Sequence, residues 1–169
     1  MQYFVVDAFA DRLFSGNSAG VCLLDSWPDD AVMQSIAMEN NLSETAFLVR
    51  ESSGAYGLRW FAPETEIDLC GHATLASAYV LMNEVHAVSG TVEFHTKSGT
   101  LTVSQSDDVF TMDFPSRPPV PCEVPPGLEQ ALGTPVLETH ASRDLLVLLE
   151  SEDAIRSLRP DFSQLKQHK

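Results

Sequence analysis

Cys70-Gly71-His72 stands before a stretch, Ala73 to Met82, that is small or apolar on nearly every face. As a helix, its first turn offers unpaired N–H groups and the positive end of the dipole, which can hold a carboxylate without a cationic side chain. Gly71 would let a ligand approach the backbone, and His72 could donate from its ring or shuttle a proton. The competing reading makes Gly71 a turn residue and His72 a helix cap. Cys70 brings sulfur to the same terminus, where a thiolate is stabilised and could act as base or nucleophile, unless it is an ordinary buried thiol. Glu44, in Asn41-Leu42-Ser43-Glu44-Thr45-Ala46-Phe47, lies where a helix gives way to an apolar strand. Partial desolvation there would raise its pKa toward the range of combined acid and base chemistry; the alternative is a solvated loop glutamate.

Other reactive residue types form no such set. His86, His95, His140 and His168 show no ligand spacing with one another or with carboxylates, so no metal is expected. Cys22, Cys70 and Cys122 are widely spaced, without a CxxC pair, and read as reduced thiols. Glu64, Glu66 and Asp68 read as a solvated acidic loop that favours the following helix dipole. Gly16, Gly20 and the other glycines fit neither the dinucleotide fingerprint nor the P-loop, and Ser43 lacks a nucleophile-elbow context, so no cofactor is expected.

The elements that must position these residues follow from periodicity. Tyr3 to Ala8 and Asn17 to Leu24 read as two strands joined through a glycine turn. Pro28 suits the first position of a helix that ends near Asn40-Asn41, with Val32/Ile36 and Met33/Ala37 four apart. Thr45 to Val49 and Tyr56 to Phe61 read as paired strands, and Thr91 to Thr96, Thr100 to Gln105 and Val109 to Phe114 as an antiparallel meander. A helix with no wet face must be surrounded. The expected fold class is therefore α+β: a mostly antiparallel, curved sheet or barrel wrapped around the central apolar helix. The expected organisation is a barrel domain over 1–115, a proline-rich linker over 116–127 and an incomplete second domain over 128–169. Six prolines between Pro115 and Gly127 break regular structure, and one strand with two short helices cannot bury enough surface alone.

Composition narrows the function. With 24 Asp+Glu against 10 Lys+Arg among 169 residues, the formal net charge of −14 repels phosphate backbones and anionic lipid, which argues against nucleic-acid and membrane partners. No signal-peptide pattern opens the chain and no apolar run reaches the roughly 20 residues of a membrane span, so a cytoplasmic location is expected.

Four ordered motifs carry a resemblance: Asp7-Ala8-Phe9 through Phe14-Ser15-Gly16-Asn17-Ser18-Ala19-Gly20-Val21-Cys22, Asn41 to Phe47, Trp60-Phe61-Ala62-Pro63, and Leu69 to Ala76. The chain resembles the phenazine-biosynthesis PhzF-like isomerases and epimerases and, more distantly, diaminopimelate epimerase. The resemblance is densest over 1–115. It implies two domains, each a sheet around a central helix, with the active site in the cleft between them. It further implies cofactor-free proton movement on carbon of a small carboxylate-bearing metabolite. By that resemblance Glu44 is the acid and base, while Asn17, Cys70, Gly71 and His72 line the substrate site. Ser18 departs from a usual proline, a matter of turn stiffness.

The resemblance implies longer relatives whose first barrel is completed by a segment returning from the C-terminal part, and that segment is expected to be missing here. An exposed sheet edge is therefore expected, to be covered by another chain, as in a homodimer, or left prone to aggregation. Two other readings stand beside the isomerase: a non-catalytic binding or dimerisation module that kept the Gly71-His72 anion site, and a hotdog-type thioesterase, which also wraps a sheet around a helix. The ordered motifs favour the isomerase.

Overall fold

The computed structural model describes residues 1–167, which fall into two compact units, Met1–Pro115 and the residues from Ser116 onward. His168, expected to take no metal role, and Lys169 lie outside the described residues.

In the first unit β1 (Gln2–Ala8) and β2 (Asn17–Leu24) pair antiparallel, from Gln2 opposite Leu23 to Ala8 opposite Asn17. Gly16 closes their connection at φ +89°, where a Cβ would sit 2.5 Å from the Ala8 carbonyl oxygen, so no other residue fits unchanged. Helix α1 (Asp30–Asn40) begins later than the sequence suggests: Asp29, not Pro28, borders it, and the extended Asp29 backbone accepts from the Val32 and Met33 N–H groups. Asn41 ends the helix in the left-handed conformation and donates to the Ala37 carbonyl.

Strand β3 (Glu44–Arg50) returns parallel to β2, so β2, α1 and β3 form a crossover unit that the periodicity did not reveal. Next come β4 (Tyr56–Phe61), β5 (Glu66–Ile67) and α2 (Gly71–Tyr79), which widens into a π-turn over Val80–Glu84. The meander β6 (Thr91–Thr96), β7 (Gly99–Ser106) and β8 (Val109–Asp113) follows. Strand order is β1-β2-β3-β4-β6-β7-β8 with β5 on β4; the β2/β3 and β4/β6 pairs are parallel and the rest antiparallel. The fold is the expected α+β arrangement.

The curvature follows from what α2 touches. Its Ala73, Ala76 and Ala78 share one cluster with Ala19 and Val21 of β2, Ala46 and Leu48 of β3, Leu58 and Trp60 of β4, Phe94 of β6 and Val103 of β7. A flat sheet could not bring so many strands to one helix, so the sheet curls around it as a half-barrel. Small side chains let the strands approach closely, and the two buried hydroxyls bond within the helix, Thr74 to the Cys70 carbonyl and Ser77 to that of Ala73. The opposite face of β2 and β3 is covered by α1, where Met33 and Ala37 pack on Cys22, Phe47 and Phe61. Phe47 and Phe61 meet edge to face at 5.5 Å.

Among the described residues, β1 and β8 end the strand order with one neighbour each. Between them, over α2, opens a cavity of about 650 Å³ lined by Phe4, Val6, Leu75, Tyr79 and Phe110.

The second unit holds β9 (Val120–Cys122), α3 (Leu128–Leu132), β10 (Glu138–Ala141), β11 (Leu145–Leu148), α4 (Glu152–Ser157) and α5 (Phe162–Leu165). It is richer than the expected one strand and two helices. The proline-rich stretch contributes β9, in the order β11-β10-β9; an edge strand is where a sheet tolerates Pro121. Ser151 caps α4 by accepting from the Ala154 N–H. Buried apolar residues are few here, chiefly Leu128, Ala131 and Leu149. Among the described residues no helix is long and apolar enough to cross a membrane.

Candidate active site

Parallel pairing sets Ala19 beside Glu44, Val21 beside Ala46 and Leu23 beside Leu48. Alternate residues of a strand share a face, so Glu44 points to the same side as Ala46 and Leu48, toward α2; Asn17, two residues before Ala19, shares that side. Both lie at the first residues of neighbouring parallel strands and therefore at one end of the sheet. Helix α2 brings its own first turn there. His72 Nε2 lies 3.1 Å from Glu44 Oε2, and His72 Nδ1 lies 3.4 Å from Cys70 Sγ.

Three predicted residues thus meet. Glu44 and His72 are mostly buried, with 19% and 10% of their side chains exposed, and Cys70 is buried. The Glu44–His72 separation is that of an ion pair, yet Glu44 Oε2 and His72 Nε2 each lack a hydrogen-bond partner. Burial keeps His72 below the usual imidazole pKa, against a smaller upward pull from Glu44, so the ring is neutral at pH 7. The contact is therefore an off-angle approach of carboxyl group to neutral ring, and a buried pair of unsatisfied polar atoms invites a ligand.

Of the two readings of Cys70, the surroundings favour the ordinary buried thiol over the thiolate. Burial pushes its thiol up to about 12; the Ala73 and His72 N–H groups pull it down, but less, and Glu44 adds to the rise. Neither amide makes a cap hydrogen bond to the sulfur. Desolvation outweighs the helix terminus here, and Cys70 is a neutral thiol.

Gly71 has no left-handed φ, and a Cβ added to it would meet nothing within 4 Å. Neither a turn nor crowding by the protein requires glycine at this position, which leaves open space before the first N–H groups of α2. Asn17 is exposed and joins the set only indirectly, through Ser43, whose hydroxyl donates to Asn17 Oδ1 at 3.3 Å. Ser43, set aside as a nucleophile on sequence grounds, enters the site instead as the partner of Asn17; its only signal for that role was its place beside Glu44.

The expected acidic loop is corrected in part. Glu66 lies in β5, and its carboxylate receives Arg59 Nε and Nη2 at 2.8 Å each and Lys97 Nζ as well, while Arg59 Nη1 reaches Asp30 at 2.8 Å. Arg59 also lies over Trp27 and Phe61 at 5.7 and 5.2 Å. This cluster ties α1, β4, β5 and the β6–β7 turn together and contains no group in contact with Glu44.

Known proteins supply an independent comparison. The family model described as phenazine biosynthesis-like protein (PhzC-PhzF) matches residues 6–169. Over 166 residues the chain is 52% identical to an uncharacterized isomerase of Pseudomonas aeruginosa, covering 98% of this chain and 64% of the relative. It is 47% identical over 167 residues to an uncharacterized isomerase of Halalkalibacterium halodurans, covering 97% and 63%. The crystal structure of a PhzF-family phenazine biosynthesis protein from Enterococcus faecalis aligns with TM-score 0.87 at 48% identity, over 99% of this chain and 64% of that one. A structure described as a predicted epimerase from Pseudomonas aeruginosa shares the fold, with TM-score 0.72 at 22% identity, over 94% and 62%. The chain spans just under two thirds of the length of the relatives it matches.

Proposed function

The chain belongs to the phenazine biosynthesis-like family, and from that premise we propose that it is an isomerase-type polypeptide that moves a proton on carbon of a small carboxylate, with Glu44 as acid and base. The observation that carries this reading is the meeting of Glu44 Oε2 and His72 Nε2, 3.1 Å apart and both buried without hydrogen-bond partners, beside the open space at Gly71.

In this reading the substrate carboxylate takes that space and accepts from the N–H groups that begin α2, which face it without reorganisation. Glu44 removes a proton from carbon next to the carboxylate or to a conjugated double bond. The same N–H groups stabilise the charge that develops. The protonated Glu44 then returns the proton on the same face, so one group serves both steps and no cofactor is called on. Neutral His72 offers a hydrogen-bond donor or acceptor without a competing cation. Asn17, its amide oxygen held by Ser43, keeps its NH₂ for substrate.

The test is hydrogen exchange at carbon. The chain is incubated in heavy water with candidate small carboxylic acids, and deuterium uptake is followed by NMR. Exchange by the wild type and a loss of about 10²-fold or more in Glu44→Gln support the proposal. Exchange that survives Glu44→Gln removes this residue from the mechanism. Saturable binding of the acid without exchange by the wild type supports the binding-module reading instead.

A further inference from the structure

We propose that Glu44, Cys70 and His72 form a site for a thiophilic divalent cation, Zn²⁺ above all, whose binding shuts the candidate active site. One donor atom from each of the three residues lies within 4.8 Å of the others, the one such group of three among the described residues. The His72 ring stands between the other two side chains, its Nε2 3.1 Å from Glu44 Oε2 and its Nδ1 3.4 Å from Cys70 Sγ, and one of these nitrogens at a time can hold the ion. Donors of a tetrahedral zinc, at about 2.0–2.3 Å from the metal, stand roughly 3.3–3.7 Å apart, so the three donors, now within 4.8 Å of one another, draw together as the ring turns one nitrogen toward both the carboxylate and the sulfur.

The second, independent observation is that Glu44 Oε2 and His72 Nε2 are buried with no hydrogen bond. A purely structural Glu–Cys–His cluster would have satisfied them. Sulfur, imidazole and carboxylate together select zinc over magnesium or calcium, which want oxygen donors only. The open space before Gly71 leaves a fourth position for water. The start of α2 opposes a cation with about half a positive charge, against two negative donors once the thiol has ionised. Attraction wins. Other histidine–carboxylate contacts, His95 with Glu51 and Glu93 and His140 with Glu138, lie on exposed side chains and bring no sulfur.

Binding breaks the Cys70 S–H bond and forms a Zn–S bond; the proton goes to solvent and no electrons are transferred. An ordinary thiol is protonated at pH 7, so about one proton is released from Cys70 per Zn²⁺. The site rests on donor geometry alone. Only its inhibitory consequence, occupation of the Glu44 carboxylate, rests on the proton-transfer reading.

The experiment titrates the full chain with Zn²⁺ by calorimetry in buffers of different ionisation enthalpy, and with Co²⁺ by absorption. The expected result is one equivalent bound with about one proton released, and a sulfur-to-cobalt charge-transfer band. Cys70→Ser abolishes the band and weakens Zn²⁺ at least tenfold, and Glu44→Gln and His72→Gln each weaken it by about tenfold. Cys122→Ser leaves all of this unchanged. Retention of the band in Cys70→Ser, or its loss in Cys122→Ser, overturns the site. If circular dichroism shows Cys70→Ser unfolded, unchanged affinity in both Glu44→Gln and His72→Gln overturns it equally. Zn²⁺ binding that leaves carbon exchange intact overturns the inhibitory role, whereas absent carbon exchange with zinc binding intact counts against the proton-transfer reading alone.

Discussion

His72 Nε2 faces Glu44 Oε2 at 3.1 Å across the gap between the start of α2 and the start of β3, and neither atom has a hydrogen bond. Their electrostatics oppose one another. Burial lowers the imidazole pKa, while the Glu44 charge raises it by less. Removal of that charge must lower it further. By NMR, the His72 ring titrates below the usual value of about 6.5 in the wild type, and at still lower pH in Glu44→Gln. An upward move, or none, would show that the two side chains do not interact in solution.

Cys70 and Cys122 should differ sharply in reactivity. Cys70 is buried with its thiol pushed up to about 12, whereas Cys122 is exposed. At pH 8, iodoacetamide alkylates Cys122 at least about a hundredfold faster, read by peptide mass spectrometry, because the thiolate is the nucleophile. Comparable rates would mean that the helix terminus outweighs burial after all.

Gly71→Ala separates a structural from a functional glycine. Nothing lies within 4 Å of the added Cβ and φ is not left-handed, so the substitution should stabilise the first unit by about 0.4–1 kcal/mol in thermal melts. The same methyl group narrows the space offered to a carboxylate, so carbon exchange should fall as stability rises. A lower melting temperature would assign Gly71 to the fold.

Glu66 sets an acid limb of stability. The Arg59 guanidinium bonded to it, helped by Lys97, holds its carboxyl below the usual carboxylate range. A depressed folded pKa contributes stability above the unfolded value of about 4.3, and that contribution is lost as pH falls through the folded pKa. Glu66→Gln should therefore cost about 1–2 kcal/mol at pH 7 and little at pH 2, measured by urea unfolding. A pH-independent cost would point to packing.

The sequence declares α2 openly, because Ala73, Ala76 and Ala78 leave it no polar face, and a helix without one needs a sheet around it. The meander from Thr91 is equally plain, since turn residues act over a few positions. Pairing partners are another matter. Periodicity places Thr45 to Val49 in a strand but is silent on its parallel neighbour β2, and that pairing alone puts Asn17 and Glu44 at one end of the sheet. Glu66 reads as loop because a two-residue strand has no period, and its partner Arg59 lies in a different strand. Pro121 reads as a breaker because an edge position is invisible in one dimension. For Cys70 both burial and helix terminus were legible, but only the packed environment decides which prevails.

The parallel pairing of β2 with β3 gives the site a vulnerability that no single side chain carries. Were β3 to slide by one residue along β2, Thr45 would take the seat beside Ala19, and Glu44 would turn outward toward the α1 side. Phe47, now packed with Phe61, would be driven among the alanines of α2. Steric protest from the aromatic rings thus guards the alignment of the carboxyl group, and bulk at a distance keeps a small reactive centre in step.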